Sequence, residues 1–167
     1  MNYFSQFPTF LAKVGDTQKT IEDFFLRVAA GKNYTSSSVL LLSTYIGDGE
    51  RPEDVSYRYY GSQDYHWVVV LVNNIVNLHL EWPKADKDVV TYTLQRYGTL
   101  TEVNHYRTVN GKFIISGYQN LIDEGVIEAV SHIDYERECN EAKRNIKVLD
   151  PQYLNEFVTD LQHQVTA

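Results

Sequence analysis

Apolar positions along this chain follow two different periods, and Gly, Pro and Asn separate the segments that carry them. In Thr17–Ala30, Ile21, Phe24, Phe25 and Val28 recur at helical spacing. Asp16 or Thr17 can cap that segment and Gly31 can end it, so an amphipathic helix is predicted. The stretch "KNYTSSS" that follows reads as a polar linker. Val39–Ile46 is rich in branched and aromatic residues and stops at "GDGE", which predicts a strand and then a turn. In "RPEDVSYRYYGSQDYHWVVVLVNN", Arg51–Asn74, Pro52 suits the first turn of a helix, Glu53 and Asp54 favour its positive end, and Gly61 suits the position just past its end. Ser62 can cap a second helix, Gln63–Val72, with Asn73-Asn74 as its stop. The Val68-Val69-Val70 run also fits a buried strand, and periodicity does not separate the two; a helix is the reading adopted.

Trp82-Pro83 breaks the chain again, and Asp86–Tyr97 reads as a third helix closed by Gly98. Two alternating runs within Glu102–Ser116 flank Asn110-Gly111, which predicts a hairpin with a type I′ turn. Ile133–Lys143 is charged and reads as a solvated helix, and "NIKVL", Asn145–Leu149, as a short strand. Asp150-Pro151 opens a last helix whose Leu154, Phe157, Val158 and Leu161 form one apolar stripe. The fold class read from these elements is α+β, with no internal repeat and no low-complexity segment.

Length and composition narrow the functional classes. A chain of 167 residues is long enough for one core of moderate size, and 43% hydrophobic with 22% charged residues is ordinary for a folded protein. A net charge of −7 has the wrong sign for a protein that neutralises phosphates, so neither nucleic acid nor a membrane surface is expected as a partner. Cys139 is the single cysteine, which leaves no intramolecular disulfide and no thiolate metal cluster. The strongly apolar run Trp67–Val72 is too short to span a bilayer. The start "MNYFSQFPTF" lacks the basic end and long apolar stretch of a signal peptide, so synthesis in the cytoplasm is expected. The 13 Tyr residues suit either an interface or a small core that uses Tyr in place of Phe.

Candidate chemistry is sparse. His66, His79, His105, His132 and His163 are scattered, with no i, i+4 pair of the metalloprotease kind. No G-x-S-x-G elbow, P-loop or G-x-G-x-x-G occurs, and "GDGE" lacks the ligand spacing of a calcium loop. Glu136, Glu138 and Glu141 lie among Arg137, Lys143 and Arg144, which reads as a salt-bridged solvent face rather than an acid/base pair. No catalytic residue, metal or cofactor is therefore expected, and binding is the default.

The stretch "DGERPEDVSYRYYGSQDYHWVVVLVNNI" followed by "EWP" resembles the baseplate wedge protein 53 family of contractile-tailed, T4-like phages, as does "YERECNEAKRNIKVLDPQYLNEFV", Tyr135–Val158. The resemblance implies a non-enzymatic structural subunit in the virion's tail baseplate. It would join neighbouring wedge subunits in the inner baseplate and bind other baseplate wedge and tail proteins. Arg51, Pro52, Tyr60, Gly61, Tyr65, Trp67, Asn73, Asn74, Trp82 and Pro83 would then be interface or core residues of the family motif.

The same stretch is similar to a LysM domain, a β-α-α-β unit that commonly binds N-acetylglucosamine polymers, with Gly47-Asp48, Tyr60-Gly61 and Asn73-Asn74 in the matching places. A LysM-type peptidoglycan-binding module is thus the alternative function. No closing strand follows Asn74, so "NIKVL" would supply it by pairing with Val39–Ile46. The expected organisation is an N-terminal helical segment over 1–38, a LysM-like core over 39–83 closed by 145–149, an insertion over 84–144 and a C-terminal helix over 150–167. Trp67 is expected to be buried against the Val55/Tyr59 side of the preceding helix. Exposed apolar docking surface is expected on Tyr3–Phe10 and on the last helix.

Overall fold

The computed structural model describes residues 3, 7–23, 29–31, 34, 39–111, 113–114 and 119–166. Among these, seven strands are present: β1 (Thr9–Val14), β2 (Thr17–Glu22), β3 (Leu41–Tyr45), β4 (Val103–Thr108), β5 (Phe113–Ile114), β6 (Ile127–Ser131) and β7 (Asn145–Leu149). They form three small antiparallel sheets, β1–β2, β3–β7 and β5–β4–β6, alongside several helices, and the fold is α+β. The chain divides into two compact units, one of residues 1–46, 50–82 and 145–167, the other of residues 47–49 and 83–144.

In the first unit, β3 leads into a helix at Pro52–Tyr60, a 3-10 turn at Gln63–Tyr65 and a helix at His66–Val72; the strand that closes the arrangement is β7. Local chemistry accounts for these boundaries. Pro52 occupies the first turn, the Arg51 N–H donates to the Asp54 carboxylate at 3.0 Å, and Gly61, at φ 71°, donates its N–H to the Tyr57 carbonyl. The Ser62 hydroxyl accepts from the Asp64 N–H and starts the 3-10 turn. Asn74, at φ 53°, turns the chain away after the second helix. The expected strand pairing is present, in register from Leu41↔Leu149 to Tyr45↔Asn145.

Two apolar clusters hold this unit. Ile146 and Val148, two residues apart on β7, join Ile46, Val55, Val69 and Trp82. Leu41 and Leu149 join Trp67, Val68 and Val72 and the stripe Leu154, Phe157, Val158, Leu161 and Val165 of the Leu154–Thr166 helix.

The structure departs from several sequence expectations. Thr17–Glu22 is not helical. Val14 pairs with Thr17 across a two-residue Gly15-Asp16 turn with Gly15 at φ 64°, and Thr17, Thr20 and Ile21 are branched residues that favour a strand. Of the rest of the expected Thr17–Ala30 helix, Asp23, Ala29 and Ala30 are not helical either, and 24–28 lies outside the described residues. Of the linker read at 32–38 only Tyr34 is described. It is buried, and its hydroxyl donates to Asp160 at 2.5 Å; burial, and then the neighbouring carboxylate, push the phenol's pKa up. Trp67 is buried as expected, but its ring neighbours are Tyr3 and Phe157, while Val55 and Tyr59 pack with Trp82. The last helix is no free docking surface, because its stripe packs into the cluster of Leu41, Trp67 and Leu149. Within Tyr3–Phe10, Phe7 is buried, and Phe10 is 41% exposed.

In the second unit the Asp86–Tyr97 helix, closed by Gly98 at φ 79°, packs against the His132–Glu141 helix. The β4–β5 hairpin is present, but not with a type I′ turn. Asn110 keeps negative φ, the Thr108 carbonyl accepts from the Gly111 N–H at 2.7 Å, and Gly111 alone takes the left-handed conformation, at φ 80°. β6, which the sequence reading did not anticipate, completes the sheet against β4.

The charged helix is only partly solvated. Glu136 and Asn140 are buried. Glu136 accepts from the Tyr97 hydroxyl at 2.9 Å and from Arg96 at 3.2 Å, while Asn140 exchanges two hydrogen bonds with the Lys84 backbone. The outward charges do pair, Arg137 with Asp86 and Arg107 with both Glu128 and Glu138. The bidentate Arg137 guanidinium holds the Asp86 carboxyl below its ordinary pKa. A lowered folded-state value means that this contact stabilises the fold above the ordinary carboxylate range and is lost as pH falls. Arg137→Gln is expected to return Asp86 to that range, read by NMR pH titration; an unmoved titration would show that Arg137 is not the cause.

Candidate functional site

The residues singled out in the sequence fall into three groups in the structure. Pro52, Trp67, Trp82 and Pro83 are buried. Trp82 donates its indole N–H to the Glu50 carbonyl at 2.9 Å, which ties the end of the short Leu78–Glu81 helix to the turn before Pro52. Tyr60, Tyr65 and Asn73 are half-buried and make specific contacts. Tyr60 sets its ring edge-on to Tyr65 and donates its hydroxyl to the Leu149 carbonyl at 3.1 Å; burial raises its pKa. Asn73 donates to the carbonyls of Val69 (2.8 Å) and Lys147 (2.6 Å) and accepts the Lys147 N–H at 2.9 Å. Arg51, Gly61 and Asn74 are exposed and act through the backbone, as helix start, helix stop and turn.

Most of these ten residues hold together the β3–helix–helix–β7 arrangement, and Pro83 belongs to the second unit. The exposed apolar side chains lie elsewhere. In the first unit they include Leu42, Tyr45 and Tyr57, then Val76 (88% exposed), Leu78 and Leu80, and on the hairpin Phe10, Leu11 and Val14. Val76 sits on a fixed turn: the Glu81 carboxylate accepts the N–H groups of Val76 and Asn77, and Asn77 accepts that of His79. A rigid turn that presents an apolar tip to water suits docking better than it suits an isolated surface. The sequence reading missed this feature, although "NIVNLHLE" shows it as apolar residues at 76, 78 and 80 between polar ones.

A cavity of about 290 Å³ in the second unit is lined by Arg107, Glu128, Asp134, Arg137 and Glu138, whose charges largely satisfy one another. A second, of about 230 Å³ in the first unit, is lined by Tyr34, Leu40, Tyr153, Glu156 and Asp160. Among the described residues no group of three or more His, Cys, Asp or Glu is placed to hold a metal ion. No described helix is long and apolar enough to cross a membrane.

Comparison with known proteins gives this arrangement its context. The family profile described as "Base plate wedge protein 53" matches residues 10–116, which cover most of the β1–β2 hairpin, β3, the Pro52–Tyr60 and His66–Val72 helices and much of the second unit. The chain is also 22% identical over 169 aligned positions to "Baseplate wedge protein gp53" of Enterobacteria phage T4, a match that covers 87% of this chain and 81% of that protein. The match over more than half of its length shows that the chain belongs to the base plate wedge protein 53 family.

Proposed function

We propose that this protein is a structural, non-enzymatic subunit of a contractile-tail baseplate in the virion, where it joins neighbouring wedge subunits of the inner baseplate. Family membership carries this reading. The distribution of side chains supports it: the motif residues serve the core, and the outward apolar groups sit on ordered elements where a partner can cover them. The partners are other baseplate wedge and tail proteins. The action is mechanical, with complementary interfaces that hold the resting plate and repack when the tail contracts.

Within this reading the β3–helix–helix–β7 unit is a LysM-like core with residues 84–144 as an insertion, and it serves as scaffold rather than as a glycan site. Its strand–helix–helix–strand order and antiparallel β3–β7 pairing support that likeness. Co-expression with the tail proteins encoded beside it, followed by size-exclusion chromatography, is expected to give a stable complex. Such a complex should bury well over about 1,000 Å² in total. If the chain elutes alone at every concentration, and calorimetry shows saturable binding of N-acetylglucosamine oligomers, the glycan module replaces the wedge subunit.

A further inference from the structure

The two edges of the β3–β7 sheet are chemically unlike. On the β7 edge, the Lys147 N–H and carbonyl both bond the Asn73 side chain, at 2.9 and 2.6 Å, and the Leu149 carbonyl accepts from the Tyr60 hydroxyl at 3.1 Å. Two side chains thus occupy the groups with which β7 could template another strand. Opposed residues of an antiparallel pair either bond each other or both turn outward. Since Lys147 turns to Asn73, its partner Ser43 turns the other way, and so does Leu41 opposite Leu149. The ladder is made at Leu42↔Val148 and Thr44↔Ile146, and the outward N–H and carbonyl groups of Leu41 and Ser43 meet no further strand among the described residues.

Arg58 meets the far end of this strand, donating to the Tyr45 carbonyl at 3.4 Å and to the Thr44 hydroxyl at 3.5 Å. Ser43 is exposed between Leu42 and Tyr45, themselves 39% and 50% exposed. Natural sheets usually block such edges because they template pairing with another chain. Among the described residues, this sheet blocks its β7 edge with two side chains and has no such block at Leu41 and Ser43 on the other.

We propose that β3 accepts, as a third strand, an extended segment of a neighbouring wedge protein. The inference rests on the wedge-subunit reading above. Outward N–H and carbonyl groups repeating at every second residue match the backbone of another strand, and the added strand would carry an apolar side chain over Leu42. A partner that covered this edge without pairing it would bury unsatisfied backbone groups, at a cost that pairing removes.

Amide hydrogen exchange tests this on the full chain, alone and in complex with its co-expressed wedge partners. The Leu42 and Thr44 amides should be slow in both states. The Ser43 amide should be fast in the free chain and slowed by about tenfold or more in the complex. Ser43→Pro removes the outward donor and leaves the β3–β7 ladder bonds in place, so it should keep the denaturation midpoint while weakening the complex by roughly tenfold. Ser43→Ala should leave both unchanged. If Ser43→Pro fails to fold, the exchange of the wild-type chain decides alone.

A complex that forms with Ser43 still fast overturns the edge pairing and leaves the wedge reading intact. Failure to form any complex overturns both. Protection of Ser43 in the free chain overturns the proposal in favour of another segment of the same chain, or of a second copy if the protection rises with concentration.

Discussion

Trp67→Ala is expected to destabilise the protein by about 3–5 kcal/mol, the usual cost of deleting a large buried aromatic side chain. The ring is only 4% exposed and lies between Tyr3, at a centroid distance of 5.4 Å, and Phe157, at 6.2 Å. The ring and these two neighbours come from three separate stretches of the chain, so collapse of the cavity would require the N-terminal segment, the His66–Val72 helix and the last helix to shift together. Partial relaxation leaves most of the cavity penalty in place. Trp67→Phe should recover a large part of the loss, since it keeps an aromatic ring in the same slot. The measurement is the denaturant midpoint at constant m-value. An unchanged midpoint for Trp67→Ala would mean that the ring is a binding residue at the surface, with Phe157 and Leu149 closing the core without it.

What could be read from the sequence was whatever a short window specifies. Pro52, Gly61, Ser62 and Gly98 set their helix boundaries through local sterics and capping, and each falls where the structure has it. The failures are places where a window contains two signals or where the deciding partner is distant. Around Thr17, the helical spacing of Ile21, Phe24, Phe25 and Val28 competed with a hairpin signal spanning Phe10, Ala12 and Val14, the Gly15-Asp16 turn, and the branched Thr17, Thr20 and Ile21. The hairpin won for the part that is described.

Asn140 shows the second kind of failure. From its neighbours Glu138 and Glu141 it belongs to a charged face, yet it is buried because the Lys84 backbone, 56 residues earlier in the chain, offers it both a donor and an acceptor. The docking expectation for the last helix failed for the same reason. A strong apolar stripe shows that a helix must be covered, but not that Leu41, Trp67 and Leu149 of the same chain will cover it. The motif could be named from the sequence as ten residues, but in the structure most of them are packed, capping or turn groups, and the groups left facing outward, such as Val76 and the Ser43 backbone, have no motif of their own.

Asn73→Ala is expected to cost about 2–3 kcal/mol, from three hydrogen bonds worth about 0.5–1.5 kcal/mol each and the non-additivity of groups on one side chain. Asn73 joins the end of the His66–Val72 helix, through the Val69 carbonyl, to the middle of β7, through the Lys147 N–H and carbonyl. Two of the three backbone groups belong to a strand edge that has no neighbouring strand among the described residues. An alanine leaves them to water or to another chain. Tyr60→Phe removes the single bond to the Leu149 carbonyl on that edge and should cost no more than about 1.5 kcal/mol. The pair of variants separates the clamp from mere burial, because Phe keeps nearly all the apolar area of Tyr while Ala at 73 removes little apolar area at all. A second consequence follows from the edge itself: Asn73→Ala should self-associate at concentrations where the parent chain stays monodisperse, since β7 would then expose its own unpaired groups. Light scattering and denaturant titration of both variants decide the matter. A loss below about 0.5 kcal/mol for Asn73→Ala, without added association, would show that the clamp neither holds β7 against the helix nor guards its edge.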